Sequence, residues 1–273
     1  MSKPKIYISL SLPKTGTTYL ENLLSQFKGF LSPSIKEPSF FFQGNPAVGS
    51  IIKKVLVKGN FNKGYEWYLS LFPQRKDATL LDMSTQYWLY PEEVISEASK
   101  NYSPVFLYIK RDPLEQIISY VTHLRRGYIP DRSLEKLCAE DPIYFEYLQQ
   151  MYLYQSKWES LADKYQEFSF IEVDFEILKT LPEKVLRSFI DDEAQLLSLN
   201  YDVEKNPKST PMWKMLNRIL FSGVVRKLGR ALPNVLYDFL INLRKSVVKK
   251  NLRKGEGSLY NEDVAFIKSH FKV

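Results

Sequence analysis

Residues 6–24, IYISLSLPKTGTTYLENLL, decide how the rest of the chain is read. An apolar, β-rich run enters a tight turn, Pro13-Lys14-Thr15-Gly16-Thr17-Thr18. It leaves as a helix, with Leu20, Leu23, Leu24 and Phe27 at helical spacing. A helix N-terminus presents unpaired N–H groups and about half a positive charge. A glycine beside it lets the backbone approach a ligand closely. Lys14 and the backbone and hydroxyls of Thr15, Gly16, Thr17 and Thr18 therefore fit a phosphate cradle. They fit equally an ordinary strand–helix turn whose threonines cap the helix, and the turn alone does not choose.

The nucleoside-triphosphate P-loop reads G-x-x-x-x-G-K-[ST]. Here the lysine precedes the glycine and no first glycine exists. A kinase or NTPase, with Asp82 as the acid after a strand, is the rival enzyme class, and it lacks its signature. A non-catalytic anion-binding module is the third reading.

Outward from this turn, strands alternate with helices. Residues 5–12, 78–81, 105–110 and 168–173 read as strands; the run VFLYIK at 105–110 is apolar enough to be covered on both faces. Residues 17–27, 59–72, 91–100, 114–126, 144–165 and 182–190 read as helices, with Pro91 at a first helical position. The pattern predicts an α/β fold: a single domain with a P-loop-like parallel sheet flanked by helices and a helical C-terminal extension. The core spans about 5–192 and the helical region about 193–273.

Composition sets outer limits. A net charge of +7 suits an anionic ligand without naming one. Cys138 is the only cysteine, which excludes an internal disulfide and a cysteine-rich zinc site; no metal is expected. No signal peptide and no run of about 18 apolar residues is visible, so the expected location is cytoplasmic, with no membrane span. Residues 216–248 mix basic and apolar side chains at helical spacing. They read as an amphipathic helix pair or as a peripheral contact with an anionic membrane surface. No nucleic-acid partner is expected, and the oligomeric state cannot be read.

The second informative stretch is IKRDPLEQIISY at 109–120. Arg111 lies just past a buried strand, on the rim where open α/β sheets bind ligands, and Ser119 lies eight residues on along the next helix. Arginine suits a bidentate grip on phosphate and serine adds a donor; the plain alternative is a surface arginine paired with Asp112 or Glu115.

Together, PKTGTTYL and R-D-P-x-x-x-x-x-S resemble the sulfotransferases that use 3′-phosphoadenosine 5′-phosphosulfate (PAPS). In that family the first motif binds the 5′-phosphosulfate and the second the 3′-phosphate. Lys36-Glu37-Pro38-Ser39-Phe40-Phe41 is similar to the K-E-P-H-F-F segment of heparan sulfate-type carbohydrate sulfotransferases. Lys63-Gly64-Tyr65-Glu66-Trp67-Tyr68 is similar to their K-G-x-x-W-Y. Asp82-Met83-Ser84-Thr85-Gln86-Tyr87-Trp88 looks like a variant of E-K-S/T-x-x-Y-F, and Val173-Asp174-Phe175-Glu176-Ile177-Leu178 of a later F/Y-E-D-L segment. Ser39 stands in place of the usual histidine and Met83 in place of the usual lysine. Beyond Asp192 the resemblance fades towards the helical tails of bacterial members. Arg253-Lys254-Gly255-Glu256-Gly257 resembles the R-K-G-x-x-G loop that cytosolic members close over the 3′-phosphate, and reads equally as a solvated turn.

The resemblance implies sulfuryl transfer from PAPS, leaving the product PAP, to a hydroxyl or amine of a small-molecule or glycan acceptor. It implies Lys14 stabilising the leaving phosphate and Glu37, matched by position, as the base. Lys36, Asp82 and Ser84 are expected near the acceptor, with Asp82 a second candidate for base or orienter. His123 and His270, the only histidines, match no catalytic position. Trp67 and Tyr68 read as core or as a sugar or adenine platform.

Overall fold

The computed structural model describes residues 3–43, 59–75, 78–125, 129, 132–190, 192, 196, 199–201 and 258–271. Residues 216–248 and the Arg253, Lys254 and Gly255 loop lie outside them. The chain divides into two compact units, Met1–Ile117 with Ile143–Val203, and Ile118–Pro142 with Glu204–Val273.

The first unit is built on five parallel strands: β1 (Lys5–Ser9), β2 (Phe30–Leu31), β3 (Thr79–Asp82), β4 (Ser103–Lys110) and β5 (Ser169–Asp174), in the order β2-β3-β1-β4-β5. This is the expected α/β sheet. β1 is central because Ile6 and Ile8 must be fully buried, and both are. It pairs with β3 through Ile8 and Asp82 and with β4 through Ile8 and Phe106. The chain leaves β1 towards β2, then later crosses to β4 on the other side of β1. Neighbouring connections therefore diverge at the carboxyl end of β1, which opens a crevice there.

Among the described residues the helices are α1 (Thr17–Leu24), α2 (Gly64–Ser70), α3 (Pro91–Asn101), α4 (Pro113–Arg125), α5 (Leu134–Glu140), α6 (Pro142–Lys164), α7 (Phe175–Thr180), α8 (Pro182–Leu186) and α9 (Ser258–His270). α6 buries Tyr147, Leu148, Met151, Tyr154, Trp158 and Leu161, a spacing of three and four that lays one face on the core. Single-turn 3₁₀ segments at Phe61–Lys63 and Tyr87–Leu89 precede α2 and α3. Among the described residues no helix is long and apolar enough to cross a membrane.

Boundaries differ from the sequence reading for local reasons. β1 stops at Ser9 instead of reaching Leu12, because Ser11 turns its amide onto the Ser9 hydroxyl (3.2 Å) and its own hydroxyl accepts the Ile109 amide (2.9 Å). The helix expected at 59–72 breaks into a 3₁₀ turn and α2 where Gly64 takes φ 80°. The segment 168–173 shifts to Ser169–Asp174, and Asp174 then caps α7 by accepting the Ile177 amide at 2.9 Å.

Against β3 packs an aromatic cluster. Phe40, Phe41, Phe42, Tyr68 and Tyr87 are fully buried, and Phe40 stacks on Tyr68 with centroids 4.5 Å apart. Each such ring contributes roughly 2–3 kcal/mol of burial. Tyr68 is thus core. Trp67 is half-buried, with the Lys63 ammonium 4.3 Å from its ring.

In the second unit, Arg125 at the end of α4 meets Asp263 of α9 through two hydrogen bonds of 2.7 and 2.8 Å. Asp263 also accepts the Leu134 amide at the start of α5 (2.9 Å). One buried carboxylate thus ties three helices of this unit.

Candidate active site

The turn after β1 is built on two left-handed residues, Lys14 (φ 70°) and Gly16 (φ 95°). Gly16 is the N-cap of α1, so no side chain caps the helix, and its first turn carries no acid. Tyr19 and Leu20 donate to the Gly16 carbonyl. Thr15 does not cap either: its hydroxyl donates back to the Leu12 carbonyl at 2.7 Å. Of the two sequence readings of this turn, threonine capping is not what forms. The helix begins with its amides and positive end uncompensated by a cap or a first-turn acid, the condition in which an anion binds.

Gly16 is required for a second reason. A Cβ there would lie 3.3 Å from two carbons of the Phe175 ring. Phe175 opens α7, and the Arg111 guanidinium lies over its ring, with Cζ 4.4 Å from the ring centre. The ring is a wedge between the turn and the arginine, and a Cβ at position 16 would push it aside by a few tenths of an ångström.

Arg111, past the end of β4, donates to the Lys14 carbonyl at 2.7 Å. Gln116, one turn into α4 and buried, donates to the neighbouring Pro13 carbonyl at 2.7 Å. The two side chains clasp the turn from the β4 side. The plain alternative, an arginine paired with its neighbours, is not the main contact: Glu115 is 4.0 Å away, and Asp112 instead accepts the Glu115 amide at 2.8 Å. Burial works against the Arg111 charge, opposed by Glu115, Glu176 and Asp112. Its Nε is buried without a hydrogen-bond partner. An uncapped helix start, a glycine approach and a half-buried guanidinium with an unmatched N–H are a donor set that fits a phosphate-bearing donor such as PAPS. Ser119 lies half-buried on α4 in the second unit.

Across β1, at the ends of β2 and β3, carboxyl groups gather. Glu37 takes φ 54° just before Pro38 and is half-buried. Thr85 donates to its Oε2 at 3.1 Å. Desolvation pushes the Glu37 carboxyl above its ordinary range, while Lys36 and the Thr85 hydroxyl pull it back. Asp82 is fully buried: Ser84 donates to Oδ1 (2.6 Å) and Tyr68 and Tyr87 to Oδ2 (2.8 and 2.7 Å). Lys36 is exposed and Ser84 buried.

Residues that sequence reasoning passed over also stand here. Glu21, one turn beyond Thr17 on α1, is pushed up to about 7 by burial first and then by the Asp82 charge, with Lys36 opposing. Its signal was available, since positions four apart share a helix face. Gln116 had none, because the Pro13 carbonyl it serves is remote in the chain; Phe175 and Tyr87 stand inside the motif segments quoted above, but nothing in those segments shows what their side chains touch.

Lys14, Gly16, Glu37, Arg111, Gln116 and Phe175 follow the carboxyl end of a strand or lie at the start of the helix after it, and Asp82 ends β3. A family model described as "Sulfotransferase domain" matches residues 4–191. No curated protein matches. Among solved structures, a sulfotransferase from Alicyclobacillus acidocaldarius is 20% identical, over 81% of this chain and 92% of its own, with a TM-score of 0.56. The sulfotransferase domain of the Synechococcus PCC 7002 olefin synthase is 16% identical over 98% and 94%, with a TM-score of 0.47. Mouse sulfotransferase SULT7A1 complexed with PAP is 15% identical over 82% and 69%, with a TM-score of 0.40. The family match takes in the whole parallel sheet, the turn at 13–18, the Arg111 stretch and the Glu37 segment between them, and on it the chain belongs to the sulfotransferase domain family, whose donor is PAPS.

Proposed function

We propose that this enzyme moves a sulfuryl group from PAPS to a hydroxyl or amine of a carbohydrate or glycan acceptor, with Glu37 as the proton acceptor and Lys14 stabilising the leaving phosphate oxygen. The observation that carries this is the pairing of the uncapped α1 start, held by Arg111 and Gln116, with the half-buried Glu37 carboxylate on the opposite side of β1.

PAPS supplies the sulfuryl group and a phosphate leaving group. The sulfur–oxygen bond to that phosphate breaks as the acceptor's oxygen or nitrogen bonds to sulfur, and the acceptor's proton passes to Glu37. Such a transfer asks the protein mainly for alignment and charge stabilisation. Lys14 and the first amides of α1 supply positive charge to the 5′ side; Arg111 is the grip for the 3′-phosphate. Glu37, raised by desolvation, accepts a proton more readily than an exposed glutamate. The carbohydrate assignment is supported by the KEPSFF and KGYEWY segments and their likeness to the heparan sulfate-type branch.

The test is transfer of label from [³⁵S]PAPS to a panel of oligosaccharides, amino sugars and simple alcohols. Glu37→Gln is expected to lower transfer by about 10²–10⁴-fold while leaving PAP affinity within twofold. Unchanged transfer in that variant removes Glu37 as the base. PAP binding with no sulfated product from any acceptor favours a non-catalytic binding module.

A further inference from the structure

We propose that Asp82 is a positioning residue, the buried anchor that holds the Glu37 loop in its left-handed turn, and not itself a proton acceptor. This rests on the reading above that Glu37 takes the acceptor's proton.

Asp82 closes β3 and is fully buried. Four donors converge on it: the Ser84 hydroxyl and amide on Oδ1 (2.6 and 3.1 Å), and the Tyr68 and Tyr87 hydroxyls on Oδ2 (2.8 and 2.7 Å). An ionised carboxylate has about four acceptor positions, so these donors occupy it. A group so engaged is a poor partner for a substrate proton.

The bonds have a direction. Each hydroxyl spends its single proton on Asp82, so its oxygen is left to accept on the other side. Ser84 Oγ accepts the Ser39 amide at 2.9 Å, and Tyr87 Oη accepts the Phe40 amide at 2.8 Å. Two consecutive amides of the loop are thus fixed to Asp82 through one intervening oxygen each. Thr85, next after Ser84, donates to the Glu37 carboxyl itself. Tyr68, the third hydroxyl, stacks under Phe40. From outside, Asn60 donates to the Pro38 carbonyl at 2.7 Å and the Ser39 carbonyl at 2.9 Å.

The loop needs such an anchor. Glu37 at φ 54° and Ser39 at φ 49° occupy a region that residues with side chains avoid, and Pro38 further restricts Glu37. Strained residues of this kind persist only where their surroundings over-determine them. Asp82 does so through hydrogen-bond polarity: its two oxygens decide which way three hydroxyls point, and two of these, on Ser84 and Tyr87, decide where the Ser39 and Phe40 amides sit. The charged groups facing Glu37 are Lys36, Asp82 and Glu21, so a loosened loop changes both its position and its titration.

Ser84→Ala and Tyr87→Phe each remove one arm while leaving Asp82 in place; Asp82→Asn removes the anchor. The first readout needs no acceptor: ¹³C NMR titration of the Glu37 carboxyl in glutamate-labelled protein, assigned with Glu37→Gln. The second is the pH profile of PAPS turnover with water as acceptor. In Ser84→Ala and Tyr87→Phe the Glu37 midpoint is expected to fall towards the ordinary carboxylate range. Turnover should drop about 10–100-fold, with PAP affinity within twofold and no further loss when Ser84→Ala is added to Glu37→Gln. Unmoved titration and unchanged turnover in both single-arm variants overturn the proposal. So does an acid limb that survives Glu37→Gln and disappears in Asp82→Asn, because Asp82 would then be the base. If wild-type protein does not turn over PAPS, the transferase reading fails separately, and the titration still decides whether Asp82 holds the loop. If Asp82→Asn does not fold, the single-arm variants carry the test.

Discussion

At Gly16 two constraints meet that favour glycine. Its φ of 95° costs a side-chain-bearing residue about 1–2 kcal/mol, and a Cβ would press the Phe175 ring at 3.3 Å. Gly16→Ala is expected to lower Tm by several degrees. It should weaken PAP binding at least tenfold, because the ring it displaces is the one against Arg111; thermal melting and calorimetry measure the two effects. Glu21 gives a prediction of opposite sign. Its carboxyl is raised from 4.5 to about 7, so the folded state keeps a proton that the unfolded chain has lost. That group lowers stability progressively as pH climbs from about 4.5 to 7, and its cost is complete above. Glu21→Gln should therefore stabilise by on the order of 2 kcal/mol at pH 8 and by nothing measurable at pH 4, read from urea unfolding at both. The contrast between Lys14 and Gln116 shows what one sequence can reveal. Lys14 is visible beside a glycine in a strand–helix turn. Gln116 looks like any polar helix residue, because the carbonyl it serves is 103 positions away.

Among the elements, α9 depends on one carboxylate. Asp263 is buried against Arg125 and the start of α5, so Asp263→Ala leaves a guanidinium without its bidentate partner and a helix amide without an acceptor. The expected loss is about 3–5 kcal/mol, seen as a lower Tm for the transition that melts α9; Asp263→Asn, which keeps an acceptor, should lose less. Which elements could be foreseen follows from how much pattern each carries. VFLYIK and the long face of α6 span enough residues to reveal their period. β2, at two residues, has no period to show, and its place at the sheet edge comes only from pairing with β3. α5 is seven residues long and its helical start depends on Ser133 capping, a signal easily lost in a polar stretch. α7 was legible as a motif but not as a helix, since its six residues follow β5 with no intervening loop.

On the scale of the whole sheet, chemistry is sorted by strand. The β1 and β4 ends carry cationic and amide donors; the β2 and β3 ends carry carboxyl groups and hydroxyls. The turn after β1 lacks the register in which a nucleotide P-loop holds Mg²⁺, since its lysine precedes its glycine. PAP is accordingly expected to bind equally with Mg²⁺ or EDTA present, and Lys14→Ala to weaken it at least tenfold in calorimetry. ATP binding that requires Mg²⁺ and exceeds PAP binding would overturn this. The Phe175 wedge has a further consequence for the order in which the protein is made. The turn it supports leaves the ribosome early, but the ring arrives 157 residues after Thr18, roughly 10–30 s later at ordinary elongation rates. During that interval the nascent chain holds the phosphate turn without its wedge, so donor binding is expected only once β5 and the start of α7 have emerged.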